Sequence, residues 1–61
     1  MEREVLYVVI RPFIRRKTLR YVGCWASVGQ SGELAIHNDR GIVEYFPIYE
    51  WEHAYYKTEV I

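Results

Sequence analysis

Residues 19–46 read LRYVGCWASVGQSGELAIHNDRGIVEYF, and the way this stretch folds decides the rest of the chain. Alternating apolar and β-branched residues predict strands at 19–28, 33–37 and 42–46, separated by two turn signals. The first turn is Gly29-Gln30-Ser31-Gly32. A three-residue loop over Gln30–Gly32 pairs Val28 with Leu34 and Ala26 with Ile36, and puts Gly32 where a type I turn plus bulge needs a left-handed residue. Loops of two or four residues would send Leu34 and Ile36 to the face opposite Ala26 and Val28. Hydrophobic matching and glycine placement therefore select one register.

The second turn is Asn38-Asp39-Arg40-Gly41, with side-chain acceptors at its start and glycine at its end. A four-residue loop pairs His37 with Ile42, Ile36 with Val43 and Leu34 with Tyr45. The expected core face is then Val22, Cys24, Ala26, Val28, Leu34, Ile36, Val43 and Tyr45. The other face carries Tyr21, Trp25, Ser27, Glu33, Ala35, His37, Ile42, Glu44 and Phe46, with Trp25, His37 and Ile42 in one row. It is too charged for a buried face and too aromatic for an ordinary wet one.

Outward from this meander, residues 2–10, EREVLYVVI, alternate Val5, Tyr7 and Val9 with Leu6, Val8 and Ile10. A strand apolar on both sides is expected to be central, or covered by a partner. Pro12 is expected to stop it, since proline cannot donate to a ladder. Residues 11–20, RPFIRRKTLR, show neither period and read as a loop, with Phe13 and Ile14 turned inward or outward. Residues 45–56, YFPIYEWEHAYY, hold six of the ten aromatic residues. Pro47 suits the first turn of a helix, and Ile48, Trp51 and Tyr55 then share one side. The expectation is a helical turn near 47–53 and a final strand near 54–60. Together these elements predict a single mainly β domain over 1–61, in the form of a small five-stranded antiparallel SH3-like barrel or curved sheet with one helical turn.

A 61-residue chain is near the lower limit for folding alone. Cys24 is the only cysteine, so no intrachain disulfide staples the domain, and no Cys/His set has zinc spacing. An apolar content of 51% and self-association are the remaining compensations. The longest apolar run, Val5–Ile10, is far too short to span a bilayer. With no leader pattern in view, an intracellular, cytoplasmic location is expected, either in a cell of origin or in a host. Net charge is zero, but residues 1–30 carry +4 and residues 31–61 carry −4. The halves thus suit either a bipolar surface or mutual neutralisation.

Little in the sequence points to catalysis. Cys24 has no cation beside it in sequence to lower its pKa and reads as a small core hydrophobe. Glu50-x-x-His53 occurs once, whereas di-iron bundles need two copies on long helices. Gly29-x-x-Gly32 lacks the rest of any phosphate-binding motif. No catalytic residue, cofactor or metal site is therefore assigned.

Two binding readings remain. In the first, the chain is a small protein-interaction module, of the accessory or inhibitor type found in viruses and other compact genomes. It would use Trp25, His37 and Phe46 on the outer sheet face with Tyr49, Trp51 and Tyr55 nearby, and form a homodimer through that aromatic surface. In the second, Arg11, Arg15, Arg16, Lys17 and Arg20 contact nucleic-acid phosphates while Tyr21 and Trp25 stack on bases. The neutral net charge weighs against the second.

Overall fold

The computed structural model describes residues 1–11 and 14–61. The strand stop expected at Pro12 and the orientation of Phe13 lie outside them. The chain is mainly β, with six strands: β1 Glu2–Ile10, β2 Lys17–Tyr21, β3 Trp25–Val28, β4 Leu34–Asn38, β5 Gly41–Phe46 and β6 Trp51–Val60. They form two antiparallel three-stranded sheets, β2-β1-β6 and β3-β4-β5.

β1 is the central strand of its sheet, as its two apolar faces require. Leu6 and Val8 on its inner side meet Leu34 and Ile36 of β4 and Phe46 of β5, and these five form the buried core. Ile10, Leu19, Tyr21, Cys24, Ala26, Trp51 and Ala54 pack around them. Each core side chain contributes about 1.5–3 kcal/mol by leaving water. A core this small leaves the fold sensitive to any one of them.

The expected strand 19–28 is divided. It breaks at Gly23, whose φ of 73° lies in the left-handed region, so β2 joins one sheet and β3 the other. This division raises the expected five strands to six. The β3–β4 register is the one read from sequence, with Val28 opposite Leu34 and Ala26 opposite Ile36. Gly32 has φ 80°, as the turn demands.

The β4–β5 register agrees only at first. His37 faces Ile42, but a bulge then shifts the ladder, so Ile36 faces Glu44 and Leu34 faces Phe46. The extra residue in β5 reverses everything after it. Phe46 is 8% exposed and belongs to the core, while Tyr45 lies opposite Ala35 on the outer face. The expected placement of Tyr45 inside and Phe46 outside is therefore corrected. Val22, Val28 and Val43, expected in the core, are all exposed.

No helical turn forms at 47–53. Glu50 N–H donates to the Pro47 carbonyl at 2.8 Å, closing a turn, and strand begins at Trp51. Pairing with β1 extends this strand to ten residues, which outweighs the helical spacing of Ile48, Trp51 and Tyr55. The turn docks on the β3–β4 hairpin. Trp51 Nε1–H donates to the Gly32 carbonyl at 2.9 Å, and a Cβ on Gly32 would collide with the Ile48 side chain.

Candidate functional site

Cross-strand partners in an antiparallel sheet project to the same side. The register therefore defines the outer face of β3-β4-β5 residue by residue. One row is Trp25, His37 and Ile42; the next is Ser27, Ala35 and Tyr45. The Trp25 and His37 rings stack with centroids 5.9 Å apart, and Ser27 Oγ is hydrogen-bonded to His37 Nε2 at 2.7 Å. His37 is thus held from two sides on the central strand. Trp25 is 47% exposed, Ile42 50% and Tyr45 60%, around the nearly covered Ala35.

Neither row contains Asp, Glu, Lys or Arg. Glu44 falls opposite Ile36, on the side away from these rows, and its charge acts on Tyr21 of β2. The Tyr21 phenol is held above its ordinary pKa, first by burial and then by the charges of Glu44 and Cys24. The bulge at Val43 thus removes an acid from the outer face and puts a tyrosine there.

The six residues expected at a protein interface do not form one site. Trp25 and His37 share the face just described. Phe46 is in the core. Trp51 is half-buried and tied to Gly32. Tyr49 stands exposed in the 48–50 turn. Tyr55 lies on the outer face of the other sheet, stacked on Tyr7 at 5.4 Å and His53 at 5.8 Å. Tyr45 and Ile42 complete the patch in their place. Tyr45 could have been favoured from sequence by one consideration: between adjacent Tyr and Phe, the residue without a hydroxyl fills a dry core at lower cost.

The basic segment is largely committed within the chain. Arg16 pairs with Glu52, and Arg11 Nε lies 3.9 Å from the same carboxylate. Arg20 donates from Nε and Nη2 to Glu59 Oε1 at 3.2 and 2.7 Å. Arg15 and Lys17 have no acidic partner among the described residues. Tyr21 is half-buried between the sheets, a poor position for stacking on a base.

Cys24 is half-buried against the core, its thiol donating to the Val22 carbonyl at 3.6 Å. No group of three or more His, Cys, Asp or Glu among the described residues is placed to hold a metal ion. No helix among them is long and apolar enough to cross a membrane. Comparison of the chain with protein-family models, with curated proteins and with solved structures finds no match.

Proposed function

We propose that the chain is a small binding module whose working surface is the outer face of β3-β4-β5, and that it acts by occupying a surface of another protein. The observation that carries this reading is the absence of charge from two adjacent rows of a sheet face, which expose Trp25, Ile42 and Tyr45 around a fixed His37. Large apolar side chains with polar tips, on a rigid strand scaffold, are the usual anchors of protein interfaces. The action is binding rather than chemistry.

A stretch that bends at Gly23 and serves both sheets supports reading the two sheets as a small SH3-like barrel, an architecture used elsewhere to present a binding face. The nucleic-acid alternative is weakened by the pairing of Arg11 and Arg16 with Glu52 and of Arg20 with Glu59, which leaves Arg15 and Lys17 to carry it.

Affinity capture from the source cell, with Trp25→Ala and Tyr45→Ala run beside wild type, tests the reading. A partner lost with both variants but retained by Tyr49→Ala supports it. A folded Trp25→Ala protein that keeps every partner overturns it. Salt-sensitive binding of a labelled oligonucleotide, abolished by Arg15→Glu with Lys17→Glu, would install the alternative.

A further inference from the structure

The backbone hydrogen bonds locate a second contact surface, separate from the aromatic face. β2 pairs only with Leu6–Ile10, whereas β6 pairs with Glu2–Ile10. Residues 2–5 and 57–60 therefore form a two-stranded ribbon beyond the six-stranded body. Such a ribbon is marginal in water without a further strand. It leaves Val60 78% exposed, with Met1 and Ile61 also open to solvent.

The direction of its free hydrogen-bonding groups follows from one contact. Ile61 N–H donates to the Met1 carbonyl at 2.9 Å, in register with the Glu2–Val60 and Arg3–Glu59 pairs. In an antiparallel ladder hydrogen-bonded pairs alternate with non-bonded ones. Residues 57 and 59 thus bond toward β1, while Tyr56, Thr58 and Val60 aim their N–H and C=O groups at the open edge.

The other three edges are blunted. β2 is short and carries Lys17 and Arg20. β3 has four residues, and its Ala26 N–H already donates to the Tyr56 hydroxyl at 3.0 Å. β5 is interrupted by the bulge at Val43 and stopped by Pro47. β6 has ten residues, no proline, and its only irregularity at the Glu52 end.

We infer that β6 is the interface to a second copy of the chain, paired antiparallel to itself about a two-fold axis at Thr58. This register joins Thr58 to Thr58 of the second copy and Tyr56 to Val60 through about six ladder hydrogen bonds. It sets Lys57 opposite Glu59 twice, in the closely spaced non-bonded pairs where side chains touch best. Lysine on an edge ordinarily repels a stray strand. Here the glutamate two residues further on makes the edge complementary to itself. Tyr56 covers the exposed Val60, and two sheets become one of six strands. The aromatic face is left free, so this dimer differs from the face-to-face dimer expected from composition.

The test is the solution mass by sedimentation or light scattering across a concentration series. Wild type is expected to approach twice the 7.4 kDa of the chain. Thr58→Pro removes an N–H that has no partner within the chain, so the fold is kept while the dissociation constant rises at least about tenfold. Lys57→Glu and Glu59→Lys each oppose like charges across the axis and are expected to be monomeric alone. Mixed together they restore complementary pairs and are expected to form a heterodimer, which a folding defect in either could not produce. A wild type that stays at the mass of one chain at every concentration overturns the inference. So does a dimer that Thr58→Pro and Lys57→Glu leave intact and Trp25→Ala dissolves.

Discussion

The two sheets present outer faces of opposite character, although both strand sets are rich in aromatic and β-branched residues. On β2-β1-β6 the outward valines Val5 and Val9 are covered by the chain itself, while Tyr55 at the edge stays 42% exposed. Val5 points outward yet is 0% exposed. Arg20 stands opposite Tyr7 and Glu59 opposite Arg3, so their ion pair crosses β1 at the level of Val5. Tyr7, Tyr55 and His53 lie stacked beside it. On β3-β4-β5 the rows of Trp25 and Ser27 contain no charged residue, and Trp25, Ile42 and Tyr45 remain open. The teaching of the contrast is that exposure of aromatics depends on whether flanking strands supply long polar side chains to lie over them. Charge placement, more than apolar content, marks which face stays open.

The sharpest way to break the contrast is at the bulge that created the open face. Phe46→Ala removes a core side chain and is expected to cost about 3–5 kcal/mol, enough to unfold a domain of this size. Tyr45→Ala, one residue away, is expected to stay within about 1 kcal/mol of wild type in a urea melt. If the two exchanged effects, β5 would be in the unbulged register and the open face would contain Phe46.

That pair also shows where sequence reading reached its limit. The β3–β4 hairpin was legible because Gly32 and the Val28–Leu34 match impose the same register independently. The central place of β1 was legible from its two apolar faces. The opposed charges of the two halves left a bipolar surface and mutual neutralisation equally open, and the Arg11, Arg16 and Arg20 pairs show neutralisation within one chain. The bulge was not legible. A single extra residue costs little locally, and burying Phe46 beside Leu34 decides it, which is a tertiary effect. Gly23 was hidden in a run of good strand formers, where nothing distinguishes a flat glycine from one with φ 73°. The final strand over 54–60 was legible, but at 51–53 helical spacing competed with strand propensity, and only the β1 edge resolves that competition.

A second comparison sets Val5 against Trp25. Val5→Ala takes less from the molecule but takes it from a fully covered site, and is expected to cost about 1–2.5 kcal/mol. Trp25→Ala removes far more atoms from a half-exposed edge position. It is expected to cost less than Val5→Ala by thermal or urea denaturation while abolishing partner capture. A larger stability loss at Trp25 would make the aromatic row a structural element instead of a contact surface.

The strap over Val5 is open to direct attack. Arg20→Ala breaks the Glu59 pair, whose arginine is about half exposed, so the direct electrostatic loss is expected to be below about 1 kcal/mol and to shrink as salt is raised. Loss of the covering alkyl stem should persist at high salt. Melting both proteins at low and high salt separates the two parts. A loss that vanishes entirely in salt would mean that Val5 is covered by something other than Arg20.

The smallest effect reports on Glu44, the acid that the bulge turns away from the open face. The Tyr21 phenol is held above its ordinary value near 10 chiefly by burial and secondarily by Glu44 and Cys24. The folded state therefore prefers the neutral phenol. Its contribution to stability is complete below the unfolded value and is lost as pH rises through the folded one. Tyr21→Phe is expected to flatten this alkaline loss, read as the pH dependence of the denaturation midpoint. Glu44→Gln should bring the phenol only part of the way back, followed by tyrosinate absorbance against the Tyr21→Phe background, because burial remains. A Glu44→Gln protein whose tyrosine titration is unchanged would place Glu44 away from Tyr21. It would return that charge to the outer face, and with it much of the difference between the two sheets.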